Sequence, residues 1–244
     1  LSPWTFIARV INSFNVSLNA SDNLSGVNFT NYRINFGPWV NGTSISFINS
    51  GIYILDYFSK DNAGNIEITN TISMGLDKDI PSTTHTSPSG WQNSSFNVSL
   101  NPSDITSGID YTSYSINSGN LSNGTTIIIN SSGNYSIDYF SVDIAGNIES
   151  TNTTYALLDL IAPNTSDDAP NSSVWQFNDL NVTLNITEIH SGINFTSYKI
   201  NSQNWTNGTI IPLTSSGTYN VDYYSKDNSG NIESIKNFTV LLDK

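Results

Sequence analysis

DYFSKDNAGNIE at residues 56–67 returns as DYFSVDIAGNIE at 138–149 and as DYYSKDNSGNIE at 222–233. Agreement over so many positions does not arise by chance inside one chain, so the molecule is read first as a repeat. The residues leading into and through this stretch alternate. Tyr53, Tyr135 and Tyr219, then Tyr57, Tyr139 and Tyr223, fall on one side of a strand with a single buried face. Each ring adds apolar area there and keeps a hydroxyl to tie down a loop. The glycine of Ala-Gly-Asn suits the positive φ of a tight turn, and the Asp before it can accept hydrogen bonds from the turn amides.

Working outward, the register holds at offsets of about 82 and then about 84 residues. Phe14, Phe96 and Leu180 align, as do Ser25-Gly26, Ser107-Gly108 and Ser191-Gly192, and then Gly51, Gly133 and Gly217. Phe14, Val16, Leu18 and Ala20 alternate with polar residues, as do Phe96, Val98 and Leu100, and Leu180, Val182 and Leu184. Further strands are predicted near 112–117, 125–130, 134–143 and 148–159, with Gly, Asn, Asp and Ser clusters between them. No segment carries a helical period. Short strands with frequent turns in a unit of this length predict a two-sheet sandwich, three times over: residues 1–77, 78–159 and 160–244. The junctions Leu76-Asp77-Lys78-Asp79-Ile80-Pro81 and Leu158-Asp159-Leu160-Ile161-Ala162-Pro163 are short and end in proline, which predicts stiff connections and an extended rod.

Composition narrows the function. The net charge is −12 and only 11% of residues are charged, which disfavours nucleic acid and anionic membrane surfaces as partners. There is no cysteine, hence no disulfide and no thiolate metal site. No apolar run approaches the roughly 20 residues needed to cross a bilayer. The segment is read as part of something longer, with any signal or anchor elsewhere. His85 and His190 are not related by the repeat, and no nucleophile with a base and an orienting group stands out, so a non-enzymatic role is expected.

Tyr135, Ile137, Tyr139, Ser141, Asp143, Ala145-Gly146-Asn147 and Glu149 resemble the late-strand pattern of the Ala-Gly-Asn class of Ig-like repeats in large bacterial and archaeal surface proteins. Ser103-Asp104 with Ser107-Gly108, and the Asp-x-x-x-Pro junctions, resemble the first loop and linkers of the same repeats. The resemblance covers nearly the whole chain and implies an all-β array of three tandem Ig-like (fibronectin III-like) domains at the cell surface, in a stalk, S-layer, filament or adhesin. It also implies further copies of the repeat in a longer chain. An unpaired sheet edge could accept a strand from another subunit and so build a filament or layer. The third copy departs from the pattern, with Thr187-Glu188 for Ser-Asp and Ser229 for Ala.

Three sets of residues are candidate sites. Asn-x-Ser/Thr triplets number roughly twenty, which predicts N-linked glycans and an extracellular location. Asn15, Asn19, Asn97, Asn181 and Asn185 are placed on the outward side of the second strand, and Asn41, Asn123 and Asn207 in Asn-Gly-Thr turns. Asp77, Asp79, Asp104 and Asp143 are expected to converge at the first junction as a calcium site. The second junction offers Asp159, Asp167, Asp168, Glu188 and Asp227. Trp39 and Trp205 align and, if exposed beside a groove, would make a carbohydrate- or host-binding adhesin module the alternative reading. Trp91 and Trp175 also align, and Trp4 takes a similar place before the second strand.

Overall fold

The computed structural model describes residues 9–244, and every regular element among them is a β-strand. Trp4 lies outside the described residues. The first repeat contributes β1 (Arg9–Val10), β2 (Phe14–Ser17), β3 (Val27–Ile34), β4 (Val40–Asn41), β5 (Ser44–Phe47), β6 (Gly51–Asp61) and β7 (Asn70–Leu76). The second contributes β8 (Ser82–Thr86), β9 (Trp91–Gln92), β10 (Phe96–Ser103), β11 (Ile109–Ile116), β12 (Ser122–Asn123), β13 (Thr126–Ile129), β14 (Gly133–Asp143) and β15 (Asn152–Leu158). The third contributes β16 (Asn164–Asp167), β17 (Trp175–Gln176), β18 (Leu180–Thr187), β19 (Ile193–Ile200), β20 (Thr206–Asn207), β21 (Ile210–Leu213), β22 (Gly217–Asp227) and β23 (Lys236–Leu242).

Each repeat builds one five-stranded and one smaller sheet. The five-stranded sheets run β1-β7-β6-β3-β4, β9-β15-β14-β11-β12 and β17-β23-β22-β19-β20, and the smaller ones β2-β5, β8-β10-β13 and β16-β18-β21. The pairings are antiparallel except where a two-residue strand, β1, β9 or β17, joins the last strand of its repeat in parallel. A parallel join at one edge, with antiparallel strands elsewhere, is the Ig-like arrangement. The chain is therefore all-β, built from Ig/fibronectin III-like sandwiches.

By packing, the described chain divides into two compact units. One holds the residues through His85 with Leu100–Thr125 and Asp138–Thr153; the other holds Thr86–Ser99, Thr126–Ile137 and Thr154–Lys244. In the first unit Leu18, Ile45 and Phe47 from the small sheet close on Leu55, Met74 and Leu76 from the large one, with Phe14, Val16, Tyr53 and Tyr57 packed against them. In the second unit Val182, Leu184, Ile211 and Leu213 meet Val221, Tyr223, Val240 and Leu242. The positions aligned with these in the second repeat, Val98, Leu100, Ile127, Ile129, Ile137, Tyr139, Ala156 and Leu158, are buried as well. Burying such side chains contributes about 1.5–3 kcal/mol each.

The tyrosines do what their spacing implies. The hydroxyls of Tyr53, Tyr135 and Tyr219 donate to the carbonyls of Asn49, Ser131 and Ser215 at 2.7, 2.8 and 2.6 Å, closing the loop before each long strand. The turns follow the same logic: Gly64, Gly146 and Gly230 have φ of 99°, 104° and 104°, where a side chain would be strained. One expectation fails. The alternation Phe14 to Ala20 predicts a strand as long as β10 and β18, yet β2 stops at Ser17. The aligned halves of β10 and β18 pair with β8 and β16; the counterpart of β8 in the first repeat falls outside the described residues.

Candidate metal centres

Two carboxylate clusters stand out, one after each of the first two repeats. Asp77, Asp104 and Asp143 form the first, and Asp159, Glu188 and Asp227 the second; in each, the three contributing oxygens lie within 4.8 Å of one another. Asp77 follows β7, Asp104 sits in the loop after β10, and Asp143 ends β14. Strand ends and loops of one face thus converge on the linker, as the Ig-like topology requires. Asp77, Asp143, Asp159 and Asp227 are at most 1% exposed.

Backbone amides hold most of these oxygens in place. Asp104 Oδ1 accepts from the amides of Thr106, Ser107 and Gly108 at 3.1, 2.8 and 2.7 Å. Asp143 Oδ1 accepts from the Gly146 and Asn147 amides at 2.6 and 2.8 Å, and Asp227 Oδ1 from Gly230 and Asn231 at 2.7 and 2.8 Å. Asp77 Oδ2 accepts from Ser107 N and Asp159 Oδ2 from Ser191 N. The second oxygens of the loop acids differ: Asp104 Oδ2 and Glu188 Oε2 are buried and have no hydrogen-bond partner. A buried carboxylate oxygen without a partner is costly, and two other carboxylates stand within reach. None of the four ion pairs among the described residues involves these acids. The donor set is hard and all oxygen, which fits calcium better than a softer metal.

The two clusters differ in charge balance. Burial raises the Asp77 carboxyl above its ordinary value, and the carboxylates of Asp104 and Asp143 push the same way, against hydrogen bonds from Ser107 and Asp79. At Asp159 burial also pushes upward, but hydrogen bonds from Ser191 and Ile161 and the nearby His190 outweigh it, and the carboxyl lies below its ordinary value. His190 stands where the first cluster has Thr106.

Several expected members are not in the clusters. Asp79 points to the Thr106 hydroxyl at 2.8 Å, Asp167 accepts the Tyr223 hydroxyl at 2.7 Å, and Asp168 accepts the Thr183 amide at 2.6 Å. Sequence reading put them at the junction by proximity along the chain; the strand carries Asp167 past the cluster and spends it on the core tyrosine. Glu188, a departure from the Asp pattern, nevertheless occupies the loop position, with Oε1 held by the amides of Ile189 and His190, both at 2.8 Å. Sequence reading missed Asn147 and Asn231. Their side-chain amides donate to the Asp77 and Asp159 carbonyls at 3.0 and 2.8 Å, so the asparagine of Ala-Gly-Asn fastens the linker. Its recurrence was the available signal.

The other candidates lie elsewhere. Asn15, Asn19, Asn41, Asn97, Asn123, Asn181, Asn185 and Asn207 are all exposed. Asn123 and Asn207 accept the hydroxyls of Ser113 and Ser197 through Oδ1. Trp39 and Trp205 are 38% and 39% exposed. The Arg33 guanidinium lies 4.6 Å from the Trp39 ring and the Lys199 amine 5.1 Å from that of Trp205, while Phe58 and Tyr224 meet their edges at 4.8 Å. The chain itself therefore covers part of each indole.

No family model matches the chain, and no curated protein matches it. Solved structures do. The chain is similar to the fibronectin(III)-like modules of Clostridium thermocellum CbhA, at 15% identity over 66% of this chain and 94% of that one, TM-score 0.34. It is similar to the N-terminal eight Ig domains of Down Syndrome Cell Adhesion Molecule, at 11% identity over 97% of this chain and 40% of that one, TM-score 0.35. The sialic acid binding region of a Streptococcus sanguinis SK1 adhesin matches at 15% identity over 97% of this chain and 75% of that one, TM-score 0.28. The fold assignment rests on strand order and paired cores rather than on these likenesses.

Proposed function

We propose that this chain is a non-catalytic structural segment of a glycosylated extracellular surface protein, a stalk, layer or filament component, whose repeat junctions are clamped by calcium. One observation carries the reading: a triad of carboxylates with two buried members and a half-buried loop acid recurs at both junctions, and in each the loop acid has a buried oxygen with no hydrogen-bond partner among the described residues. A cation there would bind the last strand of one repeat, through Asp77 or Asp159, to two loops of the next. It would neutralise carboxylates that otherwise repel, and would fix the junction on which the spacing of an array depends. Exposure of the eight asparagines supports glycan attachment, which would keep a weakly charged surface soluble.

Calorimetric titration with calcium tests this. The expected result is two sites on the chain, one lost in Asp104→Asn and the other in Glu188→Gln. Absence of binding at millimolar calcium, or binding untouched by either substitution, would count against it.

A further inference from the structure

The third repeat differs from the second at two positions that meet in space. Ser82 and Asn152 of the second repeat are replaced at the aligned positions by Asn164 and Lys236. Asn164 opens β16 in the small sheet, and Lys236 opens β23 in the five-stranded one. The Lys236 amine donates to Asn164 Oδ1 and to the Thr165 carbonyl, both at 2.6 Å, and lies 3.0 Å from Glu233 Oε2. In the second repeat the carboxamide of Asn152 stands where the amine does and donates to Glu149 at 2.8 Å; in the first, Asn70 donates to Glu67 at 2.7 Å.

The partners of the amine are fixed in place. The Glu233 side chain is 4% exposed, and its carboxylate accepts the amides of Thr165 and Ser225 at 3.0 and 2.8 Å together with the Thr165 hydroxyl. Glu149 grips Thr83 in the same way, through its amide at 2.8 Å and its hydroxyl at 2.6 Å. The glutamate therefore serves packing in both repeats, and the amine is what the third one adds. Burial pushes the Glu233 carboxyl up, but the hydrogen bonds from Thr165 and the nearby Lys236 outweigh it. The carboxyl lies below its ordinary value, in the ionised form that can take a proton. Asn164 is seated by the pairing of β16 with β18, where it lies opposite Thr187, and its carbonyl accepts the Thr187 hydroxyl at 3.1 Å. A primary amine, a carboxamide and a buried base thus share one contact, which is the set of parts that aminolysis of an amide requires.

We propose that Lys236 and Asn164 close a covalent amide between the two sheets of the third repeat, with Glu233 moving the proton. Glu233 takes a proton from the Lys236 ammonium, and the freed lone pair of Nζ attacks Cγ of Asn164. The bond from Nζ to Cγ forms and the bond from Cγ to Nδ2 breaks. Nδ2 leaves as ammonia with the protons that Nζ gives up, and Glu233 returns to its carboxylate. No oxidation or reduction occurs. Holding the two groups in contact supplies the rate that the same amine and carboxamide lack when free in solution. The inference goes beyond the array reading and does not depend on calcium. Its consequence is mechanical: a pull on β16 would pass to β23 through the new amide, and the chain between Asn164 and Lys236, 72 positions apart, would carry none of it.

Asn164 also begins an Asn-Thr-Ser triplet, and a glycan there would occupy Nδ2. The test therefore uses the whole chain made in a host without N-glycosylation, with its intact mass read under denaturing conditions. The expected mass is lower than that of the sequence by one ammonia. Trypsin is expected to leave Lys236 uncut and to release a branched peptide joining Asn164 to Lys236. Both signs should vanish in Lys236→Arg, which keeps the positive charge, and in Asn164→Ser, which copies the second repeat. Glu233→Gln should slow the linkage by about a hundredfold or more. A mass equal to that of the sequence, or an ammonia loss that persists in Lys236→Arg, overturns the proposal. Linkage at the parent rate in Glu233→Gln overturns the role of Glu233.

Discussion

Asp77 and Asp159 occupy the same place in successive repeats, yet their carboxyls shift in opposite directions. A carboxyl raised on folding keeps its proton to higher pH in the folded chain than in the unfolded one. Stability is then lost as pH rises through the raised value and regained on acidification. Asp159, lowered on folding, contributes stability at neutral pH that is lost as pH falls through its lowered value. In chelator at pH 7, Asp77→Asn is therefore expected to raise the melting temperature and Asp159→Asn to lower it, as read by scanning calorimetry. Shifts of the same sign would refute the charge argument. Calcium should stabilise the parent chain and lose most of that effect at the first junction in Asp77→Asn, because a cation stabilises only the state that binds it.

Hydrogen bonds between strands decide how firmly each element is seated. Replacing Thr83 with valine preserves the shape of β8 but strips a hydroxyl that bonds Glu149 and Ser141 across to the five-stranded sheet. A cost of about 1–3 kcal/mol is expected, measured as a lower denaturant midpoint at constant slope. Tyr135→Phe removes only the exposed bond to the Ser131 carbonyl and should cost less, about 0.5–1.5 kcal/mol. If Tyr135→Phe proved the more damaging, the grip of Glu149 on β8 would be misjudged. Much at this scale was legible beforehand. Period-two alternation located the strands at Phe96, Leu180 and Asn134, and the tyrosine hydroxyls met loop carbonyls as their position implied. The glutamate clasp was not legible, because Thr83 and Glu149 are 66 residues apart and nothing local marks either as a partner. Nor was the end of β2 at Ser17, since alternation reports which face is apolar and not where pairing stops.

Across the molecule, three repeats use aligned core positions, and Leu76, Leu158 and Leu242 are each fully buried. Leu158→Ala should cost about 2–5 kcal/mol, because the cavity it leaves is walled by strands that relax little. A loss below about 1 kcal/mol in the denaturation midpoint would mean that this core is loosely packed. The outward asparagines belong to this scale as well. Glycopeptide mapping of the protein from its native source is expected to find sugars at Asn15, Asn97 and Asn181, and bare peptides at all three would remove the glycosylated surface from the account. Repetition made the junction acids visible in sequence, but only the folded arrangement separated Asp104 and Glu188, which enter the clusters, from Asp79, Asp167 and Asp168, which do not. The most direct test of the cation clamp is a diffraction map from crystals grown with calcium. Anomalous density is predicted between Asp77, Asp104 and Asp143 and again between Asp159, Glu188 and Asp227, at about 2.3–2.6 Å from the carboxylate oxygens. Carboxylates turned apart, with no anomalous peak at either junction, would contradict it.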